Sequence, residues 1–221
     1  MKILVKFPTR SRRNKFFNVL KKYHQYCNNI NNLIFQITLD NDDIEMNNPD
    51  TIEILKTFKN TTFVFGDSKS KIDAVNRDIN PNGDWDIILL ASDDMIPNVK
   101  GYDEIILNKM KEHYPDTDGV LWFNDGFQGQ KLNTLCILGK KYYERFNYIY
   151  HPEYKSTWCD NEFMDVANLL NKQTYIDNVI IKHEHPDWGF GNRDEIHNEN
   201  FNNVNYDMMV YKKRKSINFE I

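Results

Sequence analysis

The stretch that decides the fold runs from residue 85 to residue 95 and reads Trp85-Asp86-Ile87-Ile88-Leu89-Leu90-Ala91-Ser92-Asp93-Asp94-Met95. Its apolar segment is typical of a strand buried in a parallel sheet, and it ends in two adjacent carboxylates. Open α/β sheets bind ligands in the crevice beyond the carboxyl ends of their strands. Carboxylates at that place can hold a divalent cation together with substrate phosphate oxygens. The two aspartates could instead cap a helix or solvate a turn, so both interpretations stay open at this point.

The chain before this stretch alternates between strand-like and helix-like segments. Strands are predicted for residues 1–7, 33–39 and 61–65, and helices for residues 16–23 and 51–58. A further helix is expected after Ser70, because Ser70 and Asp73 form a capping-box pattern. Strands that alternate with helices of this length indicate βαβ units and a mainly parallel sheet.

The chain after this stretch continues in the same way. Helices are predicted for residues 102–113, 140–146 and 160–170, and strands for residues 119–123, 134–138 and 175–181. The polar loop 124–133 is a candidate border of a ligand pocket. Because the sequence shows no internal repeat and no linker, we expect one α/β domain over residues 1–221, with a mainly parallel central sheet flanked by helices.

Composition and charge exclude several classes of protein. Of the 221 residues, 40% are hydrophobic and 14% aromatic, which is typical of a globular chain. The formal net charge is −4, so no overall positive field would draw the protein to nucleic acid. The sequence contains no run of about 18 apolar residues, the length that would predict a membrane-spanning helix. The amino terminus opens as a strand without a signal-peptide pattern, and the three cysteines are far apart, so we expect a reducing, cytoplasmic location.

Two short basic clusters interrupt this otherwise acidic chain, at residues 10–15 and at residues 212–215. Each is either a solvated surface or a local contact with phosphate or a membrane surface. We interpret the second cluster as a solvated surface.

Several familiar site motifs are absent from the sequence. No G-x-G-x-x-G follows the first strand, and residues 66–71 lack the second glycine and the Lys-Ser/Thr order of a P-loop. The segment His183-Glu184-His185 is not the H-E-x-x-H of a zinc protease, and there is no G-x-S-x-G. What remains is a parallel sheet with acids at several strand ends and a histidine pair at another.

Taken in order, these residues resemble the GT-A (Rossmann-like) fold of enzymes that use nucleotide-sugars, and in particular glycosyltransferase family 2. The resemblance covers most of the chain. In the first half of the chain, the resemblance rests on three motifs: a Pro-Thr-Arg turn, an aspartate that ends the second strand, and a G-x-S-x-x-K-x-x-A-x-N segment. The turn is Pro8, Thr9 and Arg10, the aspartate is Asp40, and the segment supplies Gly66, Ser68, Lys71, Ala74 and Asn76. The resemblance implies that these residues line the nucleoside and diphosphate side of the pocket and that Asp40 reads the base. Lys71 could also be an ordinary solvated helix residue.

The resemblance also implies a metal site for Mn²⁺ or Mg²⁺. Ser92-Asp93-Asp94 stands where the family has its D-x-D signature, with Ser92 in place of the first acid. Asp94 is then the direct metal ligand, and Asp93 contacts the ribose or supports Asp94. Many GT-A enzymes supply a histidine to the metal after the last strand, so His183 and His185 are both candidate ligands. The sequence does not choose between them.

The catalytic base of the family lies in an E-D motif at a later helix start. Trp158-Cys159-Asp160 matches that motif with cysteine in place of glutamate, which implies that Asp160 is the base. Trp158 is then expected near the acceptor. Asp160 could instead be a capping or first-turn acid of its helix, a normal place for aspartate.

The resemblance as a whole implies a metal-dependent inverting glycosyltransferase. It would move a sugar from a nucleotide-diphosphate-sugar, expected to be a UDP-sugar, to a hydroxyl acceptor such as a glycan. Residues 1–95 would form the nucleotide-binding half, and residues 96–221 the acceptor-side half with the base and the metal histidine. Two alternatives remain: a sugar-phosphate nucleotidyltransferase, whose glycine-rich loop is missing after the first strand, and a non-catalytic GT-A-like domain that binds a glycan or a partner.

Overall fold

The computed structural model describes residues 1–185, Gly189 and residues 202–221. Its strands are β1 (Ile3–Pro8), β2 (Leu33–Asp40), β3 (Thr61–Gly66), β4 (Ile87–Leu90), β5 (Met95–Pro97), β6 (Val120–Phe123), β7 (Ile137–Gly139), β8 (Gln173–Ile176) and β9 (Ile181–His183). Its helices are α1 (Arg13–Tyr26), α2 (Pro49–Lys56), α3 (Lys71–Asn76), α4 (Tyr102–His113), α5 (Lys140–Tyr143), α6 (Cys159–Leu169) and α7 (Val204–Ser216). Short 3-10 helices cover Ile30–Asn32 and Asn218–Glu220.

Seven of the strands form a central sheet in the order β3-β2-β1-β4-β7-β6-β8. The strands β1 to β4 are parallel to one another, and β6 is parallel to β8. Strand β7 runs antiparallel to both of its neighbours. The protein is therefore an α/β protein with a mainly parallel central sheet flanked by helices, which confirms the predicted fold class.

Strand β4 shows why the central strands are continuous apolar runs. Ile87 and Leu89 pack into the core on one face of the sheet, Ile88 and Leu90 pack into a second core cluster, and all four are buried. Successive side chains of a strand point to opposite faces, so a strand covered on both faces needs apolar residues throughout.

Strand β1 breaks this rule at Lys6, whose side chain is fully buried. Its ammonium group donates to the hydroxyl of Thr38 and, at 2.6 Å, to the carbonyl oxygen of Arg77. Burial lowers the pKa of Lys6 to about 7, although the nearby carboxylate of Asp78 opposes that shift. The lysine thereby ties β1 to β2 and to the end of α3.

Helix α3 begins after Ser70, as the capping-box pattern predicts. Ser70 Oγ accepts the backbone N–H of Asp73 at 3.2 Å. The carboxylate of Asp73 reaches back one residue further than the pattern requires and accepts the N–H of Lys69 at 2.9 Å. The first bond satisfies an N–H group that the helix start leaves without an intrahelical partner, and the second fixes the chain just before the cap.

The last predicted strand, residues 175–181, is wrong as a single element. Strand β8 ends at Ile176 and β9 begins at Ile181. Between them the N–H of Asn178 donates to the carbonyl oxygen of Ile176 at 2.8 Å and turns the chain. The separate strand β9 pairs with β5, and this pairing places His183 opposite Met95.

Helix α7 was not predicted, because its buried positions do not form an apolar stripe. Its buried residues are Asp207, Val210 and Arg214. The interpretation of residues 212–215 as a solvated surface is wrong for Arg214, which is 3% exposed and pairs with Glu162 at 2.9 Å. A charged side chain can be buried when a partner of opposite charge accompanies it.

Two further features of the described residues are the state of the cysteines and the apolar length of the helices. All three cysteines, Cys27, Cys136 and Cys159, are buried free thiols. Within the described ranges, none of the helices is both long enough and apolar enough to cross a bilayer.

The strand order reverses at β1, and this reversal positions the site. From β1 the chain builds β2 and β3 on one side and β4 on the other. Ligand crevices of open α/β sheets form at such a point, beyond the carboxyl ends of the strands. Since β1 ends at Pro8 and β4 at Leu90, the Pro-Thr-Arg turn and the Ser92-Asp93-Asp94 segment both lie at this edge.

Candidate active site

A cleft of about 650 Å³ opens beyond the carboxyl ends of β1 and β4, and this volume is in the range of small-molecule sites. Most of the predicted site residues line it: Pro8, Thr9, Arg10, Asp40, Ser68, Lys71, Ser92, Asp93, Asp94, Asp160, His183 and His185. Gly66 and Asn76 are not among the described residues of the lining. The hydroxyl oxygen of Thr9 is buried and has no hydrogen-bond partner within the described ranges.

Asp40 lies at one end of the cleft between two arginines. Its Oδ2 accepts from Arg10 Nη1 at 3.0 Å, and its Oδ1 accepts from Arg77 Nη2 at 3.2 Å and from the hydroxyl of Ser68. Arg10 also donates to Asp42, at 2.5 and 2.9 Å. The carboxylate is therefore held in one orientation before any ligand binds.

Gly66 and Asn76 occupy supporting positions behind this end of the cleft. A Cβ atom on Gly66 would lie 2.6 Å from Nη1 of Arg77, so a glycine leaves room for the guanidinium that holds Asp40. Asn76 Oδ1 accepts the N–H of Ile149 at 2.9 Å and that of Tyr150 at 3.2 Å, and its Nδ2 donates to the carbonyl oxygen of Tyr150 at 2.6 Å. Asn76 thereby fixes the backbone of Tyr150, which lines the cleft.

Asp94 and His183 face each other across the junction of β5 and β9. His183 Nε2 lies 3.5 Å from Asp94 Oδ2, and the hydroxyl of Ser92 donates to the other oxygen of Asp94. Burial alone would raise the pKa of Asp94, but the hydrogen bond and charge of His183, with the Ser92 hydroxyl, outweigh it and hold the pKa well below its ordinary value. Asp94 is therefore an anion at neutral pH. The ring of His185 lies 5.7 Å from that of His183.

Asp93 points to a different partner, the side chain of Arg12. Arg12 Nη1 donates to Asp93 Oδ1 at 3.1 Å, and the side chains of Arg12 and Asp93 are only 13% and 8% exposed. Burial raises the pKa of Asp93; the guanidinium of Arg12 opposes this shift and the adjacent charge of Asp94 reinforces it. The two neighbouring aspartates thus differ in partner and in proton affinity.

The residues at Asp94 fit a divalent cation that arrives with a phosphate ligand. Among the described residues, no group of three or more His, Cys, Asp or Glu side chains is arranged to hold a metal by itself. Asp94 and His183 nevertheless offer two donors close together. Ions such as Mg²⁺ commonly take one or two protein ligands and complete their coordination with substrate phosphates and waters.

Asp160 lies in the first turn of α6 and lines the cleft. Its Oδ1 accepts the N–H of Asn161 at 3.0 Å. Burial raises the pKa of Asp160, and the Asn161 amide and the positive charge of Lys71 oppose that shift. A carboxylate with a raised pKa is a better proton acceptor than an ordinary aspartate. The helix cap is Trp158, so Asp160 is a first-turn acid and a cleft residue at once.

The polar loop after β6 contributes Gln128, Leu132 and Thr134 to the cleft. It is held by Asp125, a buried residue whose Oδ1 accepts the N–H groups of Phe127 and Gln128 at 2.8 and 2.7 Å. Asp125 Oδ2 accepts the hydroxyl of Thr134 at 2.6 Å, and its carbonyl oxygen accepts the N–H of His183 at 3.0 Å. The loop expected to border a pocket is therefore joined directly to β9.

Sequence reasoning missed the partners that hold the predicted acids. Arg12 belongs to a basic cluster but gave no sign of pairing with Asp93, and Arg77 merely follows the segment that ends at Asn76. Neither arginine lies near its aspartate in the sequence, since 81 positions separate Arg12 from Asp93 and 37 separate Arg77 from Asp40, so these pairs become visible only when the fold brings them together.

Comparisons with known proteins agree with this geometry at the level of the fold. The sequence matches no known protein family, and none of the curated proteins is a significant match. Solved structures do match. A mannosyltransferase, PcManGT from Pyrobaculum calidifontis in complex with GDP-Man and Mn²⁺, superposes with a TM-score of 0.67 at 11% identity, over 86% of this chain and 58% of that chain.

TarS 1–349 from S. aureus is a second similar structure. Its complex with UDP-GlcNAc superposes with a TM-score of 0.66 at 14% identity, over 90% of this chain and 61% of that chain. This protein therefore has a GT-A-like fold, and it spans about three fifths of the length of these two similar structures.

Proposed function

We propose that this protein is a metal-dependent glycosyltransferase that uses a nucleotide-diphosphate-sugar. The observation that carries the proposal is the convergence of Asp40, Asp94 and Asp160 on one cleft, each with a different set of partners. The similar structures that contain GDP-Man with Mn²⁺ and UDP-GlcNAc support the same class of substrate.

The partners of Asp40 favour uracil as the base. A carboxylate offers about four lone-pair positions. Ser68, Arg77 and Arg10 already donate to three of them, which leaves one acceptor position on Oδ2. Uracil presents a single N–H between two carbonyl groups, and Arg10 retains N–H groups that can donate to one of these carbonyls. Guanine presents two adjacent N–H groups to a carboxylate and would leave one of them without an acceptor. We therefore expect a UDP-sugar donor.

Asp94 and His183 would hold Mn²⁺ or Mg²⁺ beside the diphosphate. When bound, such an ion neutralises the negative charge that grows on the leaving diphosphate. His183 is the stronger of the two candidate histidines because its ring nitrogen lies 3.5 Å from the Asp94 carboxylate. His185 lines the same cleft.

Asp160 would accept the proton of an acceptor hydroxyl, such as that of a glycan. Its raised pKa suits this task, since general-base catalysis works best when the pKa of the base approaches the working pH. Attack by that hydroxyl opposite the departing diphosphate inverts the configuration at the anomeric carbon. Trp158, two residues earlier and also in the lining, offers an aromatic surface against which a sugar ring can pack.

Product analysis tests this proposal against its two alternatives. The protein is incubated with Mn²⁺ and a panel of nucleotide-sugars, and separately with a nucleoside triphosphate and a sugar phosphate. Release of a nucleoside diphosphate from the first mixture supports the transferase. Release of pyrophosphate from the second mixture alone would identify a nucleotidyltransferase. Binding of a nucleotide-sugar or glycan without any turnover would favour a non-catalytic domain.

A further inference from the structure

One face of helix α7 holds the segment that contains Asp160. Asp207, Tyr211 and Arg214 are spaced i, i+4 and i+7 and therefore share a helical face. Each of the three contacts a different part of residues 155–162. The α7 face thus contacts this segment at three successive points.

The first contact is a carboxylate that accepts consecutive backbone N–H groups. Asp207 Oδ1 accepts from Lys155 at 2.8 Å, and Oδ2 accepts from Ser156 at 2.9 Å and from Thr157 at 2.8 Å. The Thr157 hydroxyl donates to Oδ2 at 3.2 Å. Asp207 is fully buried, and charge-assisted bonds of this kind are stronger than bonds between neutral groups. They fix the path of the backbone just before α6.

The other two contacts lie on either side of Asp160. The rings of Tyr211 and Trp158 are 5.2 Å apart. Arg214 Nε donates to both carboxylate oxygens of Glu162, at 3.0 and 2.9 Å. Asp160 therefore lies between two residues that α7 holds.

This support reaches the cleft itself, because residues 156–160 all line it. Trp158 has a φ of 59°, a conformation that is costly for a bulky side chain and persists where the surroundings impose it. The bonds from Asp207 end at Thr157, directly before this strained residue. They hold the backbone that leads into Trp158 and, two residues later, into Asp160.

We propose that Asp207 is a positioning residue for the acceptor side of the cleft. Through the backbone of residues 155–157 it sets Trp158 and Asp160, and it acts without touching substrate. The proposal rests on the proposed transferase function. The bonds that hold Asp40 at the base end come from Arg10, Ser68 and Arg77, which are not part of α7. Turnover should therefore depend on Asp207 much more than nucleotide binding does.

The matched pair of variants is Asp207→Asn and Asp103→Asn. Asp103, in the first turn of α4, is also fully buried and accepts the backbone N–H groups of Asn28 and Asn29, at 2.8 and 3.1 Å, and the side-chain amide of Asn32 at 3.0 Å. Both substitutions remove a buried charge from a set of N–H donors. The Asp103 variant therefore measures the general cost of such a loss.

Asp207→Asn is expected to lower kcat about 10- to 100-fold, since a displacement of about 1 Å at a reacting group can have that effect. Its Kd for UDP should change by less than about three-fold, because the bonds that hold Asp40 come from outside α7 and well-separated sites act nearly independently. Amide hydrogen exchange should accelerate from residue 155 through residue 162. Asp103→Asn should keep kcat within about two-fold of wild type and accelerate exchange only around α4.

Three results would overturn the positioning role. These are an equal loss of kcat in both variants, an unchanged kcat in Asp207→Asn, or faster exchange in that variant that is confined to residues 155–157. The exchange measurement needs no turnover. If the wild-type protein cleaves no nucleotide-sugar, the proposed function fails, while the exchange pattern still decides whether Asp207 orders the segment up to Asp160.

Discussion

His183 Nε2 lies 3.5 Å from Asp94 Oδ2, although 89 positions of the sequence separate these residues. The antiparallel pairing of β5 with β9 produces this proximity, because it sets His183 opposite Met95. A backbone bond at 2.7 Å from the N–H of Glu184 to the carbonyl oxygen of Asp94 extends the pairing by one step. A carboxylate and an imidazole thus meet at the edge of the sheet where a diphosphate would bind.

The first prediction concerns this pair as a metal site. Asp94→Ala and His183→Ala should each reduce the rise in melting temperature that Mn²⁺ produces in the presence of UDP, because the stabilisation that a ligand gives to the folded state grows with the logarithm of its affinity. The control is His113→Ala, whose ring lies near Glu112 at the end of α4. An undiminished Mn²⁺ shift in Asp94→Ala would show that the ion binds elsewhere.

The second prediction concerns the pH dependence set by Asp160. A base must be deprotonated, so kcat/KM should fall as the pH falls through the Asp160 pKa, which burial raises above the ordinary aspartate value of about 3.9. Lys71 holds that pKa down. Lys71→Met should therefore move the acid limb to higher pH, whereas Lys56→Met, on the exposed side of α2, should leave it in place.

The pH–rate profile of each variant measures this shift. Asp160→Asn should remove transfer activity at every pH. An acid limb that stays fixed in Lys71→Met, or moves to lower pH, would mean that another group titrates.

The third prediction concerns base selection by Asp40. Asp40→Ala removes the last acceptor position for the uracil N–H and should weaken UDP binding about 10- to 100-fold, the usual range for a hydrogen bond to a charged group. Asp50→Ala is the control, because Asp50 is an exposed acid in the first turn of α2 and is not among the described residues that line the cleft. Isothermal titration with UDP and GDP measures both effects. Equal affinities of wild type for the two nucleotides would contradict uracil selection.

The fourth prediction concerns the stability of the fold at α7. Arg214→Met leaves the buried carboxylate of Glu162 without its charged partner and should lower the free energy of unfolding by about 3–5 kcal/mol. Lys213→Met removes an exposed pair with Glu153 and should have almost no effect. Urea unfolding compares the two. A similar small change in both would mean that the Arg214 pair contributes little.

The sequence predicts the first half of the fold well because each central strand is an apolar run with a clear end. The parallel strands β1 to β4 follow from this pattern, and the helix after Ser70 follows from its capping box. Helix α7 could not be predicted, since the residues it buries include Asp207 and Arg214, and a buried charge looks like a surface residue until its partner is known.

The candidate site was predictable to a similar extent. Motif resemblance placed Asp40, Asp94 and Asp160 at strand or helix ends, and the fold brings them to one cleft. The resemblance could not distinguish a lining residue from a support, so it grouped Asn76 with the nucleotide contacts although its side chain holds the backbone of Tyr150. The hydrogen-bond partners of such a supporting side chain depend on long-range packing, so no local sequence pattern reveals them.

The most direct test of the central claim is the release of UDP from UDP-sugars by the wild-type protein, measured with Mn²⁺ and again with excess EDTA. Asp94→Ala and Asp160→Asn are measured in the same assay. We predict UDP release that requires Mn²⁺ and is lost in both variants. Release that is unaffected by EDTA, or that persists at the wild-type rate in Asp160→Asn, would contradict the account.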